Sequence, residues 1–163
     1  MRQKKQGHKV SDHFSRRDFY CKCQNCSHAI KISLGLIGGL EFLRSLSKSR
    51  INILKGYECI ESSEANHKFK RNHHLTGIAA DVVIDKLSPK DVFLLALKVP
   101  EFKGIGLNLV GRYVHVDTRK DKERSLWVET ESGHIVLTHA NQMDYFDQPV
   151  LDDQDNIDPE CDR

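Results

Sequence analysis

The sequence predicts a single α+β domain, in which a small, mainly antiparallel sheet has helices packed on one side. Two kinds of segment support this prediction. Apolar residues recur at helical spacing in residues 34–47, and short stretches that alternate between apolar and polar residues follow as candidate strands. A chain of 163 residues with 39% hydrophobic residues is long and apolar enough to bury one core.

Two helices are expected. The first spans Leu34–Ser47, although three glycines within it lower its intrinsic helix propensity. The second begins at Ser88, a favourable N-cap, with Pro89 at the first helical position. It runs to about Lys98, and Pro100 then stops it. The apolar side of the first helix is expected in the core and comprises Leu36, Ile37, Leu40 and Leu43.

Short strands account for much of the remaining apolar sequence. Residues 78–84 alternate, so that Ala79 and Asp81 face one side of the sheet and their neighbours face the other. Glu131-Ser132-Gly133 separates the last two candidate strands and predicts a hairpin. Residues 58–73 are polar, without a clear period, and predict a long loop. The other strand candidates are Ile51–Leu54, residues 107–109, Tyr113–Asp117, Leu126–Thr130 and His134–Thr138.

The two ends of the chain carry opposite charge. Basic residues dominate the first 19 residues and acidic residues the last 20, whereas the net charge of the whole chain is only +2. Such end segments are usually solvated. The alternative is a basic arm that touches an anionic polymer such as nucleic acid. No recognised nucleic-acid motif accompanies these residues, so we expect no nucleic-acid partner.

Neither a membrane segment nor a secretory signal is expected. No stretch is long and apolar enough to span a bilayer, which argues against membrane insertion. The N-terminus is cationic, but no hydrophobic segment follows it, as a signal peptide would require. The chain is therefore expected to be cytoplasmic as synthesised.

The cysteines do not predict a disulfide framework in that compartment, although the chain has five of them. Cys21, Cys23 and Cys26, with His28 nearby, could form a structural metal site, but their spacing is irregular for one. The alternative is that reduced thiols pack the N-terminal segment. The remaining two are expected to be a buried thiol and a free thiol in the acidic tail, namely Cys59 and Cys161.

Two short motifs carry the candidate chemistry. The first is the segment from His74 to Asp81, and the second is Tyr113-Val114-His115-Val116-Asp117. Residues two apart in a strand share a face, so His115 and Asp117 should point the same way. Two imidazoles and a carboxylate around one ion form a mixed nitrogen and oxygen set, which fits zinc best. The alternative is that these are unrelated polar residues at an exposed strand edge.

These motifs resemble the zinc D-alanyl-D-alanine metallopeptidases. That family includes D,D-carboxypeptidases, murein endopeptidases and phage endolysins, and it shares its fold with the hedgehog signalling domain. The resemblance covers roughly residues 13–130, including the stretch Phe14–Phe19 and the cysteine motif after it. The positions that match the central pattern are His74, Gly77, Ala79, Asp81, Val114, His115, Val116, Asp117 and Arg119, and Gly56-Tyr57, Gly104-Ile105-Gly106 and Trp127 also fall in order.

The resemblance implies a zinc peptidase that hydrolyses peptide bonds of bacterial peptidoglycan. It implies that His74, Asp81 and His115 bind Zn2+, which polarises the scissile carbonyl and activates water. Asp117 is the implied catalytic residue, either as general base or as the group that orients a ligand. The implied partner is a peptidoglycan stem peptide, and we expect a monomer. Release to the cell wall by a separate factor is consistent with an endolysin.

The chain departs from the family pattern at two positions. No acid precedes His115 in residues 110–114, where many relatives have a glutamate. Glu58 stands where relatives commonly have an arginine that binds the substrate carboxylate. The alternative function is therefore a catalytically impaired zinc-containing binding or structural module of the same fold. By this resemblance the chain divides into a flexible basic arm (1–12), a peptidase-like domain (13–130) and a C-terminal extension with an acidic tail (131–163).

Overall fold

The computed structural model of the protein describes residues 8–63 and 72–151. It contains an open sheet of six strands, and the predicted α+β class is confirmed. The strands are β1 (Ile51–Lys55), β2 (Ala79–Ile84), β3 (Gly104–Asn108), β4 (Tyr113–Asp117), β5 (Ser125–Thr130) and β6 (Gly133–Val136). Their order across the sheet is β1-β2-β4-β3-β5-β6, and every neighbouring pair is antiparallel except the parallel pair β3 and β5.

In the described residues, three α-helices accompany the sheet, namely α1 (Leu34–Ser47), α2 (Ile60–Ser63) and α3 (Pro89–Ala96). The bounds of α1 are those predicted, and its N-cap Ser33 accepts a hydrogen bond from the backbone N–H of Leu36. Helix α3 begins with the predicted Ser88 cap, where Asp91 completes a capping box. It ends two residues before the predicted Lys98, in a turn closed by the N–H of Lys98 on the carbonyl of Leu95. None of the described helices is long and apolar enough to cross a bilayer.

The two faces of the sheet have different roles. One face, together with α1 and α3, forms the hydrophobic core, as the alternating pattern predicted. The predicted core residues Leu36, Ile37, Leu40 and Leu43 are all buried. The residues that the sheet contributes to this core are Ile51, Ala80, Val82, Ile84, Ile105, Leu107, Val114, Val116, Leu126 and Val128. The opposite face is therefore the one that carries Asp81, His115 and Asp117.

Strand β3 begins three residues before the strand predicted at residues 107–109, and the added part contains two glycines. Gly104 pairs with Asp117, and Gly106 lies between His115 and Trp127 in the register of the sheet. A Cβ atom at Gly104 would overlap the Asp117 carboxylate, and one at Gly106 would overlap the Trp127 indole. The glycines therefore leave space on the sheet for the larger side chains of β4 and β5.

The sheet and core continue beyond the predicted domain boundary at residue 130. Strand β6 extends the sheet, and Leu137 and Phe146 are buried in the same core. Near the other end, residues 8–12 include backbone contacts to the following turn: Arg16 donates to the His8 carbonyl, and Val10 donates to the Phe14 carbonyl. Residues 1–7 and the acidic tail from 152 onward lie outside the described part of the chain.

Candidate metal centre

The structure brings together the three side chains predicted to bind a metal. His74, Asp81 and His115 each offer one ligand atom, and these atoms lie within 4.8 Å of one another. Asp81 on β2 and His115 on β4 are direct partners across the sheet. His74 lies on the 3-10 turn His73–Thr76 that precedes β2. The cluster is therefore positioned by two neighbouring strands and the turn that enters one of them.

The His74 ring is oriented by the backbone of another loop. Its Nδ1 donates to the Gly56 carbonyl at 2.7 Å, which turns Nε2 towards Asp81 Oδ1 at 3.3 Å. The turn that carries His74 is capped by Asn72, whose Oδ1 accepts from the His74 backbone N–H. Gly77 ends the turn with φ of +72°, and the Lys31 backbone packs where a Cβ would lie. Gly77 thus allows a tight turn between His74 and β2.

His115 lies between two carboxylates. Its Nδ1 is 2.9 Å from Asp81 Oδ1, and its Nε2 is 3.1 Å from Asp117 Oδ2. Burial would lower the pKa of His115, but the two carboxylates outweigh burial and raise its pKa to about 9. Burial would likewise raise the pKa of Asp81, but hydrogen bonds from His115 and His74 hold it well below its usual range. The metal-free site at neutral pH is thus an imidazolium between carboxylates.

Asp117 lies on the far side of the His115 ring from Asp81 and has no exposed side-chain surface. Arg119 grips it with Nε on Oδ1 at 2.8 Å and with a terminal nitrogen on Oδ2 at 2.7 Å. Burial alone would raise the pKa of Asp117, but hydrogen bonds from Arg119 and His115 keep it well below its usual range. Both carboxylate oxygens are therefore engaged, and one of them faces Nε2 of His115.

Aromatic and basic side chains lie beside the site, on the side of the sheet edge formed by β5 and β6. Trp127 contacts His115 with ring centroids 5.4 Å apart, and the Arg119 guanidinium lies 5.5 Å from the centre of the Trp127 ring. His134 on β6 packs on the other part of Trp127 and pairs with Glu129 at 2.6 Å. Sequence reasoning did not assign His134 and Glu129 to this side. Alternation within the predicted hairpin could have indicated this, because it places both residues on the same face of the sheet as Trp127.

Glu58 does not lie open beside the site. It is buried, with Oε2 accepting from the Asn72 amide at 2.6 Å and Oε1 accepting from the Ser62 hydroxyl at 3.4 Å. Asn72 in turn caps the turn of His74. Glu58 therefore supports the His74 turn from behind. Part of the long loop predicted at residues 58–73 is helical, and residues 64–71 lie outside the described part of the chain.

The donor set fits a metal ion. The Gly56 carbonyl occupies His74 Nδ1, so Nε2 is the ring nitrogen left for a metal; Asp81 supplies a carboxylate oxygen; and His115 turns Nδ1 to the same point. Asp117 can accept the Nε2–H of His115, the arrangement by which a carboxylate fixes the tautomer of a ligating imidazole. Two nitrogens and one carboxylate oxygen match the ligands of zinc sites that keep an open position.

The raised pKa of His115 makes the stability of the metal-free protein depend on pH. Because the folded-state pKa of about 9 exceeds the unfolded value of 6.5, the imidazolium stabilises the fold fully below pH 6.5. That stabilisation is lost as the pH rises through about 9. We expect chelator-treated protein to lose about 3 kcal/mol of unfolding free energy between pH 6 and pH 9.5, measured by urea denaturation.

A His115→Asn variant is the control for this loss. It lacks the titrating ring, so its unfolding free energy should change less over the same interval, while other titrations are shared by the two proteins. Equal pH dependence in the variant and the natural chain would contradict the assignment of the raised pKa to His115.

Comparison with known proteins does not add a family to this geometry. No protein-family model matches the chain, and no curated protein matches it.

Proposed function

We propose that this protein is a zinc peptidase that hydrolyses peptide bonds of bacterial peptidoglycan, built on a hedgehog-type fold. The observation that carries the proposal is the convergence of His74 Nε2, Asp81 Oδ1 and His115 Nδ1. Asp81 and His115 lie on paired strands, and His74 lies on the turn before β2. The order and spacing of the two motifs support the substrate class, because they resemble the D-alanyl-D-alanine metallopeptidases. The reaction type is supported by the donor set, which suits a hydrolytic zinc site.

His74, Asp81 and His115 would hold the ion. Zinc supplies Lewis-acid polarisation of a carbonyl and a nucleophilic water at neutral pH. The ring of His115 must lose its Nδ1 proton to act as a ligand. The other proton stays on Nε2 of His115, where it is donated to Asp117. Asp81 stays ionised because its pKa is low, so it offers a charged oxygen throughout the physiological range.

Of the two roles considered for Asp117, the contacts favour orientation of His115. A general base must reach the attacking water, whereas Asp117 has no exposed side-chain surface and both its oxygens are bound by Arg119. Arg119 thereby positions the Asp117 carboxylate, which in turn orients the His115 ring. In this proposal Asp117 is a positioning residue, and its loss weakens zinc binding by about 10- to 100-fold.

The site face offers polar groups beside the metal ligands that a peptide could contact. Tyr113, Asn108, Glu129 and His134 follow one another across β4, β3, β5 and β6. Burial and the nearby charge of Asp81 raise the pKa of Tyr113 to about 12, so this phenol keeps its proton and can donate. In this proposal the row binds the substrate backbone.

A second candidate function is a zinc-containing binding module that does not hydrolyse its ligand. Two observations favour it. The Asp117 side chain is fully buried. Glu58, at the position where the resemblance leads us to expect an arginine, hydrogen-bonds Asn72 and provides no positive charge for a substrate carboxylate. Both candidates bind zinc, so only turnover separates them.

Synthetic stem peptides test the proposal and distinguish the candidates. Zinc-loaded protein is incubated with a peptide ending in D-Ala-D-Ala and with a cross-linked stem-peptide dimer, and products are followed by mass spectrometry. We expect zinc-dependent cleavage of one of them, lost after chelation and restored by zinc. Binding of these peptides without cleavage would favour the non-catalytic module.

A further inference from the structure

Four cysteines form a second cluster near the N-terminus of the described chain. Cys21, Cys23 and Cys26 lie in one loop, and Cys59 joins them from the segment after β1. Their four sulfur atoms lie within 4.8 Å of one another. All four are free thiols, and the Cys23 and Cys59 sulfurs are 3.3 Å apart. The sequence had suggested only the first three as a group.

The spacing of the sulfurs matches a metal site better than it matches a disulfide. A disulfide bond is about 2.05 Å long, well below the separation of 3.3 Å between Cys23 and Cys59. Four thiolates at about 2.3 Å from a zinc ion lie about 3.8 Å from one another in a tetrahedron. The four sulfurs lie within 4.8 Å of one another, which is compatible with these separations, and together they supply all four ligands of a tetrahedral site.

The backbone around the cluster is arranged to hold these sulfurs. The N–H of Cys59 points at the Cys21 sulfur at 3.4 Å, so the backbone of one segment contacts a sulfur of the other. The Cys21 N–H donates to the Ala29 carbonyl, and the Ala29 N–H donates to the Cys26 carbonyl, which closes the loop. Ser27 and His28 within it both have left-handed backbone angles, which non-glycine residues rarely adopt in succession. His28 stacks on Tyr20 and is not part of the sulfur cluster.

We infer that Cys21, Cys23, Cys26 and Cys59 hold a structural zinc ion. Four protein ligands complete a tetrahedron and leave no open position, the arrangement of zinc sites that stabilise a fold. Thiolate ligands disfavour the hard cations and suit zinc, and the four cysteines are free thiols in the structure. This site is separate from the His74 centre, and the inference does not depend on peptidase activity.

The position of the cluster gives the ion a structural task. It would fasten the segment before Cys21 to the segment before Cys59, where the Tyr57 N–H already donates to the Phe19 carbonyl at 3.0 Å. Gly56 packs so closely on Phe19 that a Cβ there would overlap its backbone. The Gly56 carbonyl is the acceptor that orients His74. The thiolate site therefore stabilises the loop that positions a ligand of the other centre.

Metal content of the full chain tests the inference. After zinc loading and removal of free metal, we expect two zinc ions per chain by elemental mass spectrometry. Cys59→Ser should lose one of them, and His115→Ala should lose the other. Cys161→Ser is the matched control, since Cys161 is not one of the four proposed ligands, and it should keep both. A Cys59→Ser protein with the full zinc content would overturn the inference.

Cobalt substitution tests the same site without a mutation that could prevent folding. Cobalt bound by four thiolates gives strong sulfur-to-cobalt charge-transfer absorption, which a site of two histidines and an aspartate cannot give. We expect these bands in the natural chain and in His115→Ala, and their loss when zinc is added back. Cobalt binding without thiolate bands, or iron in the cluster of the purified protein, would contradict the zinc assignment.

Discussion

An Asp81→Asn protein is expected to lose zinc from the His74 centre and, in the proposed function, to lose peptide hydrolysis with it. The substitution keeps the size of the side chain but removes the charged oxygen that faces both His74 Nε2 and His115 Nδ1. Loss of a group that merely supports a ligand costs about 10- to 100-fold in metal affinity, so loss of the ligand itself should cost at least about 100-fold. Chelator competition measures the affinity, and mass spectrometry of stem-peptide products measures hydrolysis.

Asp85→Asn is the matched control for this variant. Asp85 directly follows β2, is exposed, and accepts a hydrogen bond from Asn52 on the other side of the strand pair. The same chemical change there should leave zinc affinity and hydrolysis unchanged. If Asp81→Asn bound zinc as tightly as the Asp85 variant, Asp81 would not be a ligand and the centre would have to be reassigned.

Gly104→Ala is expected to disrupt the centre although Gly104 has no side chain with which to bind a metal. Its added methyl group would occupy the position of the Asp117 carboxylate and press on the Arg119 guanidinium. Asp117 is fully buried, so moving it breaks a buried ion pair and its hydrogen bond to His115. We expect a loss of about 3 kcal/mol or more in unfolding free energy and weaker zinc binding. Urea denaturation and chelator competition measure the two effects.

Gly38→Ala provides the opposite case. Gly38 lies within α1, and no atom is within 4 Å of the position that a Cβ would take. Alanine there should stabilise the protein by about 0.5–1 kcal/mol, because it restores helix propensity without a clash. A Gly104→Ala protein as stable as Gly38→Ala, with unchanged zinc affinity, would show that the position of Asp117 does not depend on the space at residue 104.

Local signals predicted much of the fold. The bounds of α1 and β4 agree with the sequence prediction, since helical spacing and strict alternation are properties of the segment itself. The resemblance to the metallopeptidases implied that His74, Asp81 and His115 come together, and the structure places them close to one another. Alternation within the strands indicated only the faces on which Asp81 and His115 lie. Pairing of β2 with β4 then places Asp81 opposite His115.

Features that depend on distant parts of the chain could not be predicted in the same way. The Cys59 sulfur lies beside that of Cys23, 36 residues earlier, and the adjoining Gly56 segment packs on Phe19. Glu58 is negatively charged where the resemblance leads us to expect a positively charged arginine. Its hydrogen bond from Asn72 joins two loops whose proximity the sequence does not indicate. Gly104 and Gly106 precede the strand predicted at residues 107–109, whereas both lie within β3, beneath side chains from neighbouring strands.

Digestion of purified peptidoglycan by the zinc-loaded protein is the most direct test of the proposed function, with a His115→Ala protein run beside it. Mass spectrometry of the released fragments identifies any bond that is cut. We predict release of free D-alanine or opening of peptide cross-links by the natural chain and neither by the variant. An unchanged sacculus, despite zinc bound at the His74 centre, would contradict the peptidase and leave a binding module.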